Sequence, residues 1–232
     1  MLKKNITEEE LKKKITEYLV LHESDYTEEE IKQILSWYSS GMVTDFSPEL
    51  VRQLYAELDL MEPEHNLYLG FLNLIEQVHG INKRILEVGG GRIPSLAKYI
   101  AMRQQTGTIT VYDPRLIIPS RIPYPNLILR KQRFDCSVSL ENTDLIIGYM
   151  PEEATSDMIQ RACETKTDFV IALSDMLSEK DEYELDEIWT DWQCSIIYDA
   201  AASVETAGLG TLKTATLDKY DNPYPIIYNH RK

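Results

Sequence analysis

The strongest constraint on the fold is Arg84-Ile-Leu-Glu-Val-Gly-Gly-Gly-Arg-Ile-Pro-Ser95, a short apolar run that meets three consecutive glycines. A helix-compatible segment, Leu96 to Met102, follows at once. Glycine lacks the Cβ that blocks positive φ and close ligand approach. The exposed amides at the start of the next helix are then open to polar or anionic groups. A second apolar run, Thr108-Ile-Thr-Val-Tyr112, ends at Asp113. An acidic side chain about 20 residues beyond a glycine turn is placed to accept both hydroxyl hydrogens of a ribose. The two parts together predict an adenosine-containing ligand.

From residue 84 onward apolar runs and helical patterns alternate. Strands are predicted at 84–88, 108–112, 126–130, 144–149 and 168–173, and helices at 94–104, 152–164 and 179–192. Such alternation implies a parallel sheet with helices on both faces. Pro114, Pro119, Pro123 and Pro125 break the segment after the second strand, so an irregular, stiff loop is predicted there, on the ribose side. Near the end, the run Ser195-Ile-Ile-Tyr198 leads into a small-residue stretch, Ala200 to Gly210. Thr211-Leu-Lys-Thr-Ala-Thr-Leu217 then alternates with period two, and Pro225-Ile-Ile-Tyr228 follows a turn at Asp221-Asn-Pro223. A closing hairpin is predicted.

Residues 1–80 read as a separate helical region, ahead of an α/β domain at 81–232. Thr7-Glu-Glu-Glu10 is a capping box with Leu11, Ile15, Tyr18 and Leu19 at helical spacing behind it. Thr27-Glu-Glu-Glu30 repeats the device before Ile31, Ile34, Leu35 and Tyr38. Ser47-Pro48 is a third helix start, followed by Leu50, Leu54 and Leu58. In a last helix Leu67, Phe71, Leu74, Ile75 and Val78 form one stripe that ends at Gly80. The charged face is solvated on the simplest reading, and a lid or a homodimer surface on the functional one.

Net charge is −14. Nucleic-acid binding normally leaves a basic footprint, so this balance disfavours it, although a local basic groove stays open. Cys136, Cys163 and Cys194 have neither metal-ligand nor disulfide-scaffold spacing, and reduced, mostly buried thiols are expected. The first ten residues hold no apolar core for a signal peptide, and no run reaches membrane-spanning length. A cytoplasmic location without membrane partners is the expectation.

Glu87-Val-Gly89-Gly-Gly91 resembles the E/D-x-G-x-G signature of class I S-adenosylmethionine (SAM)-dependent methyltransferases. The carboxylate two residues before the first glycine argues against an ordinary NAD fold. Ile93 occupies the third-glycine place of the methyltransferase form, and Pro94 that of the dinucleotide form. The resemblance implies a Rossmann-like, mostly parallel sheet with antiparallel C-terminal strands, SAM as cofactor, and a small-molecule or protein acceptor. It implies that Glu87, Gly89, Gly90 and Gly91 approach the donor's amino-acid arm, that Asp113 holds the ribose, and that Asp135 holds the adenine amino group. Asp144-Leu-Ile-Ile-Gly-Tyr-Met-Pro151 resembles the fourth strand and its catalytic tip, where Gly148, Tyr149, Met150 and Pro151 face the transferred group. Tyr149, with Asp175 past the fifth strand, is the acid/base candidate. The tip lacks the Asn/Asp-Pro-Pro-Tyr/Phe motif, which argues against amide or adenine N-methylation. Tyr18, Trp37, Tyr38 and Tyr68 are placed to line an acceptor cavity, although core packing is the commoner fate of such rings. His22, His65, His79 and His230 are scattered, and no Cys/His/Asp cluster indicates a metal.

Two other readings compete. The Gly89-to-Pro94 stretch also resembles nicotianamine synthase-like enzymes, which transfer the aminobutyrate arm of SAM. A non-catalytic SAM-binding module is the reading from outside enzymology.

Overall fold

In the computed structural model, the described residues are 7–21, 26, 27, 29, 31, 32, 34, 54, 58, 67–118, 122, 124–174, 191–217 and 224–231. Helix α1 (Glu8–Leu21) begins at the capping box. The Glu10 N–H donates to Thr7 Oγ1 at 3.2 Å, while the Thr7 N–H donates back to Glu10 Oε2 at 3.0 Å. Helix α2 (Leu67–Val78) buries Leu67, Tyr68, Phe71, Leu72 and Ile75.

The strands are β1 (Arg84–Val88), β2 (Thr108–Tyr112), β3 (Leu127–Arg130), β4 (Leu145–Tyr149), β5 (Asp168–Ala172), β6 (Thr211–Leu217) and β7 (Tyr224–His230). Helix α3 (Ser95–Arg103) follows β1, α4 (Thr155–Thr165) follows β4, and α5 (Asp191–Ala207) precedes β6. The seven strands form one sheet in the order β3-β2-β1-β4-β5-β7-β6. The pairs from β3 to β5 are parallel, and β7 pairs antiparallel with both β5 and β6. This is the class I methyltransferase-like arrangement, with β7 inserted against the direction of the rest.

Both faces of the central strands are buried, because side chains alternate across the sheet. Ile85, Ile109, Val111, Leu145, Ile147 and Val170 pack against α2 and α3 on one side. Leu86, Val88, Ile146, Phe169 and Ile171 pack against α4 and α5 on the other. Helix α2 is thus built into the sheet's core.

Some expectations need adjustment. Part of the predicted helix at 179–192 lies outside the described residues. The helix that is described there runs Asp191–Ala207 and takes in the small-residue stretch from Ala200. Ala200-Ala-Ala202 carries no apolar period, yet alanine is the best helix former. The described residues between β2 and β3 carry neither helix nor strand, in keeping with the proline-broken loop. Trp37, Tyr38, Ser47, Pro48, Asp175 and the turn at 221–223 lie outside the described residues. The cysteines correct the burial expectation. All are free, but Cys136 and Cys194 are exposed and Cys163 only half-buried. Cys136 sits in a turn after β3, and Cys194 faces outward on α5.

Candidate functional site

The C-terminal ends of the parallel strands carry the site, as open α/β sheets place their ligands. A cavity of about 280 Å³ is lined by Val88 and Gly89 at the tip of β1, by Tyr112 to Arg115 after β2, by Arg133 and Phe134 after β3, and by Met150 to Ala154 after β4.

The three glycines have different reasons to be glycine. Gly89 and Gly91 hold φ of 75° and 70°, a left-handed conformation that side chains disfavour. A Cβ on Gly89 would also lie 3.0 Å from Pro151 Cα, so the tips of β1 and β4 meet there. On Gly90 a Cβ would come within 2.6 Å of Val111 Cγ1, so glycine lets the turn settle onto β2.

Two carboxylates lie under this turn, each 2% exposed. Asp113 Oδ2 accepts the Gly91 N–H at 3.0 Å, and its Oδ1 accepts the Arg115 N–H at 2.6 Å. The Arg115 guanidinium lies at 3.4 Å from the same carboxylate. Glu87 shares a face of β1 with Ile85 and accepts the backbone N–H of Ala97 in the first turn of α3. It thereby caps a helix whose N-cap residue, Pro94, offers no side-chain bond. Its Oε2 is buried and makes no hydrogen bond. Burial, and then the neighbouring Asp113 charge, push the Glu87 carboxyl up to about 8.

The tip of β4 is held in an unusual backbone. Met150 and Glu152, flanking Pro151, have φ of 53° and 48°, which non-glycine residues seldom adopt. The Met150 N–H is fixed to the Ala172 carbonyl at 2.9 Å.

The residues singled out in the sequence divide into three groups. Gly89 and Asp113 line the cavity; Glu87, Gly90 and Gly91 form its support immediately behind. Asp135, Gly148 and Tyr149 do not line it. The Asp135 carboxylate accepts the Ser137 N–H and hydroxyl at 2.8 and 2.6 Å, bonds that hold it below the usual carboxylate range. Its neighbours Arg133 and Phe134 face the cavity instead. Gly148 makes room for Met158 and Pro151. The Tyr149 ring is buried under α2, 4.8 Å from the Tyr68 ring and 5.7 Å from that of Phe71. Tyr68 is therefore a core residue, and Tyr18 packs edge-on against Tyr26. Arg115, Arg133, Phe134, Glu152 and Glu153 were not anticipated as lining residues. Their adjacency to strand ends was the only signal available for them in the sequence.

The donor set fits an adenosine-bearing ligand. A carboxylate has about four lone-pair positions; on Asp113 the Gly91 and Arg115 backbone N–H groups take two, and hydroxyl donors would take the two now met by the Arg115 guanidinium at a long 3.4 Å. Phe134 and Pro114 give the cavity apolar walls, and a buried, unbonded carboxylate oxygen lies behind the turn. Among the described residues no group of His, Cys, Asp and Glu is arranged to hold a metal ion.

Sheet order and the placement of this cavity define a class I methyltransferase-like fold. Solved structures of similar architecture include a precorrin-6y C5,15-methyltransferase from Geobacter metallireducens GS-15, at 12% identity over 72% of this chain and 89% of that one, with a TM-score of 0.45. A SAM-dependent methyltransferase from Aquifex aeolicus matches at 14% identity over 75% and 92% of the two chains, with a TM-score of 0.42. The fibrillarin/Nop5p complex matches at 16% identity over 75% and 84%, with a TM-score of 0.46. At these values the fold assignment rests on the chain's own strand order. No family model and no curated protein matches the chain. No helix among the described residues is long and apolar enough to cross a membrane.

Proposed function

We propose that this chain is a SAM-dependent methyltransferase that acts on a small molecule or a protein. The observation that carries the reading is Asp113, a buried carboxylate at the end of β2 that lines the cavity while tied to the glycine turn. In this reading Asp113 accepts the ribose hydroxyls, Phe134 flanks the base, and Glu87, which holds its proton near neutral pH in the free chain, releases it when the cationic end of the donor lies on the Gly89 to Gly91 turn. Asp135 keeps its proposed place near the adenine edge only if the Ser137 bonds open. When bound, SAM supplies an electrophilic methyl group on a sulfonium. The chain's own task is to align donor and acceptor and exclude water, with a base needed only where the acceptor carries a proton. Tyr149 and Asp175 are the proposed acceptor-side residues, and Gly148 is proposed to face the donor. The helical region 1–80 would cover them, and its exposed Val20 and Leu21 offer a surface for a homodimer.

A second reading, a donor-binding module without transfer, is favoured by the burial of Tyr149 between Tyr68 and Phe71. Incubation of the purified chain with SAM and pools of small-molecule, protein and RNA acceptors separates the readings. S-adenosylhomocysteine as product supports methyl transfer, and methylthioadenosine would redirect it to aminobutyrate transfer. Donor binding without either product would leave the module.

A further inference from the structure

Ile93, the residue in the third-glycine place, is 3% exposed and belongs to an apolar cluster otherwise drawn from the helical region. Its companions are Leu11, Ile15 and Leu19 of α1, with Tyr26, Ile34 and Leu54. The adjacent Arg92 lays its guanidinium over the Tyr26 ring, 4.7 Å from the centroid. Cation–π contacts of this kind strengthen when they are shielded from water. The Arg92 carbonyl accepts the Ile117 N–H at 3.0 Å, which ties the same residue to the loop beyond Asp113. Gly91, one residue earlier, donates to Asp113 itself. The short segment after the last glycine is therefore packed on one side by the helical region and bonded on the other to the loop that carries Asp113 and Arg115.

A third glycine at position 93 would remove the side chain that joins the glycine turn to the apolar cluster of α1. The departure from the family pattern thus has a structural consequence: it converts the end of the glycine turn into a docking point.

We propose that Arg92 and Ile93 are positioning residues that couple the donor turn to the helical region, so that a ligand on the turn and the docking of α1 favour one another. This rests on the donor reading above. A ligand that fixes the backbone of Gly89 to Gly91 also fixes the two side chains that follow, and hence the surface α1 packs on. Linkage requires the effect to be reciprocal: docked α1 tightens ligand binding by the same factor by which ligand tightens docking. A bound donor would thereby favour the docked arrangement of the helices.

Hydrogen exchange of the full chain, with and without S-adenosylhomocysteine, tests this directly. In the wild type, amides of α1 from Leu11 to Leu19 are expected to slow about fivefold or more on saturation, the size of a typical coupling. Ile93→Gly should still bind, with its dissociation constant raised by the same factor by which the α1 response is lost. Tyr26→Leu, which keeps apolar volume and removes only the ring under Arg92, should show part of both effects and guards against a poorly folded Ile93→Gly. Saturable binding that leaves α1 exchange unchanged overturns the coupling while sparing the donor reading. Weaker binding in Ile93→Gly with an intact α1 response also overturns it. Absence of any wild-type binding overturns the donor reading and the coupling with it.

Discussion

The Gly91 backbone N–H donates to Asp113 Oδ2 at 3.0 Å, which joins the last glycine of the turn to the carboxylate at the end of the next strand. The bond places the acid and the turn in one rigid unit, with Arg115 closing the other side of the carboxylate. Asp113→Ala is expected to weaken S-adenosylhomocysteine binding by about 1.5–3 kcal/mol, the range for hydrogen bonds to a charged group. Isothermal titration reads it. An unchanged affinity would return Asp113 to a purely structural role in the turn.

Glu87 makes stability depend on pH. Its carboxyl is raised from an ordinary 4.5 to about 8, chiefly by burial and then by Asp113. Between those values the folded chain holds a proton that the unfolded chain releases. This contribution is therefore complete below about pH 4.5 and is lost as pH rises through about 8. Urea unfolding across that window should show stability falling with pH in the wild type and a flatter profile in Glu87→Gln. Asp113→Asn should flatten it partly, by removing the second cause. Identical slopes in all three proteins would exclude Glu87 as the titrating group.

Met150 and Glu152 hold positive φ on either side of Pro151. Left-handed backbone costs about 1–2 kcal/mol for a residue with a Cβ. Glu152→Gly, at an exposed position, is expected to raise stability by about 0.5–1 kcal/mol once the added entropy of glycine is counted. Chemical denaturation measures it, and a loss of stability would show that the Glu152 side chain contributes more than its backbone costs.

Gly148 tests whether the fourth strand's tip is shaped by packing or by ligand. A Cβ there would meet Met158 Cε at 2.8 Å and Pro151 Cγ at 2.9 Å. Gly148→Ala should cost about 1–3 kcal/mol of stability through overpacking. If stability is kept while ligand affinity drops, Gly148 belongs to the donor site.

The glycine turn, the strand runs and the closing hairpin were legible because local chemistry dictates them: glycines at positive φ, Val and Ile runs, and period-two alternation. Helix α5 was less so, since Ala200-Ala-Ala202 carries propensity without periodicity, and the apolar run before it reads equally as strand. Roles set by tertiary packing were illegible. Nothing in the sequence places Tyr149 under Tyr68 and Phe71, or turns Asp135 onto Ser137 while Phe134 faces the cavity. Ile93 was visible only as a departure from a motif, and its partners on α1 lie far off in sequence.

The most direct measurement is thermal unfolding of the purified chain with SAM, S-adenosylhomocysteine, NAD and ATP in parallel. A ligand that binds only the folded state at a hundredfold excess over its dissociation constant adds about 2.7 kcal/mol of stability. Upward shifts with SAM and S-adenosylhomocysteine, and none with NAD or ATP, are expected from Glu87, the glycine turn and Asp113 acting together. A shift with NAD or ATP alone, or with none of the four, would contradict the assignment of this cavity to a SAM donor.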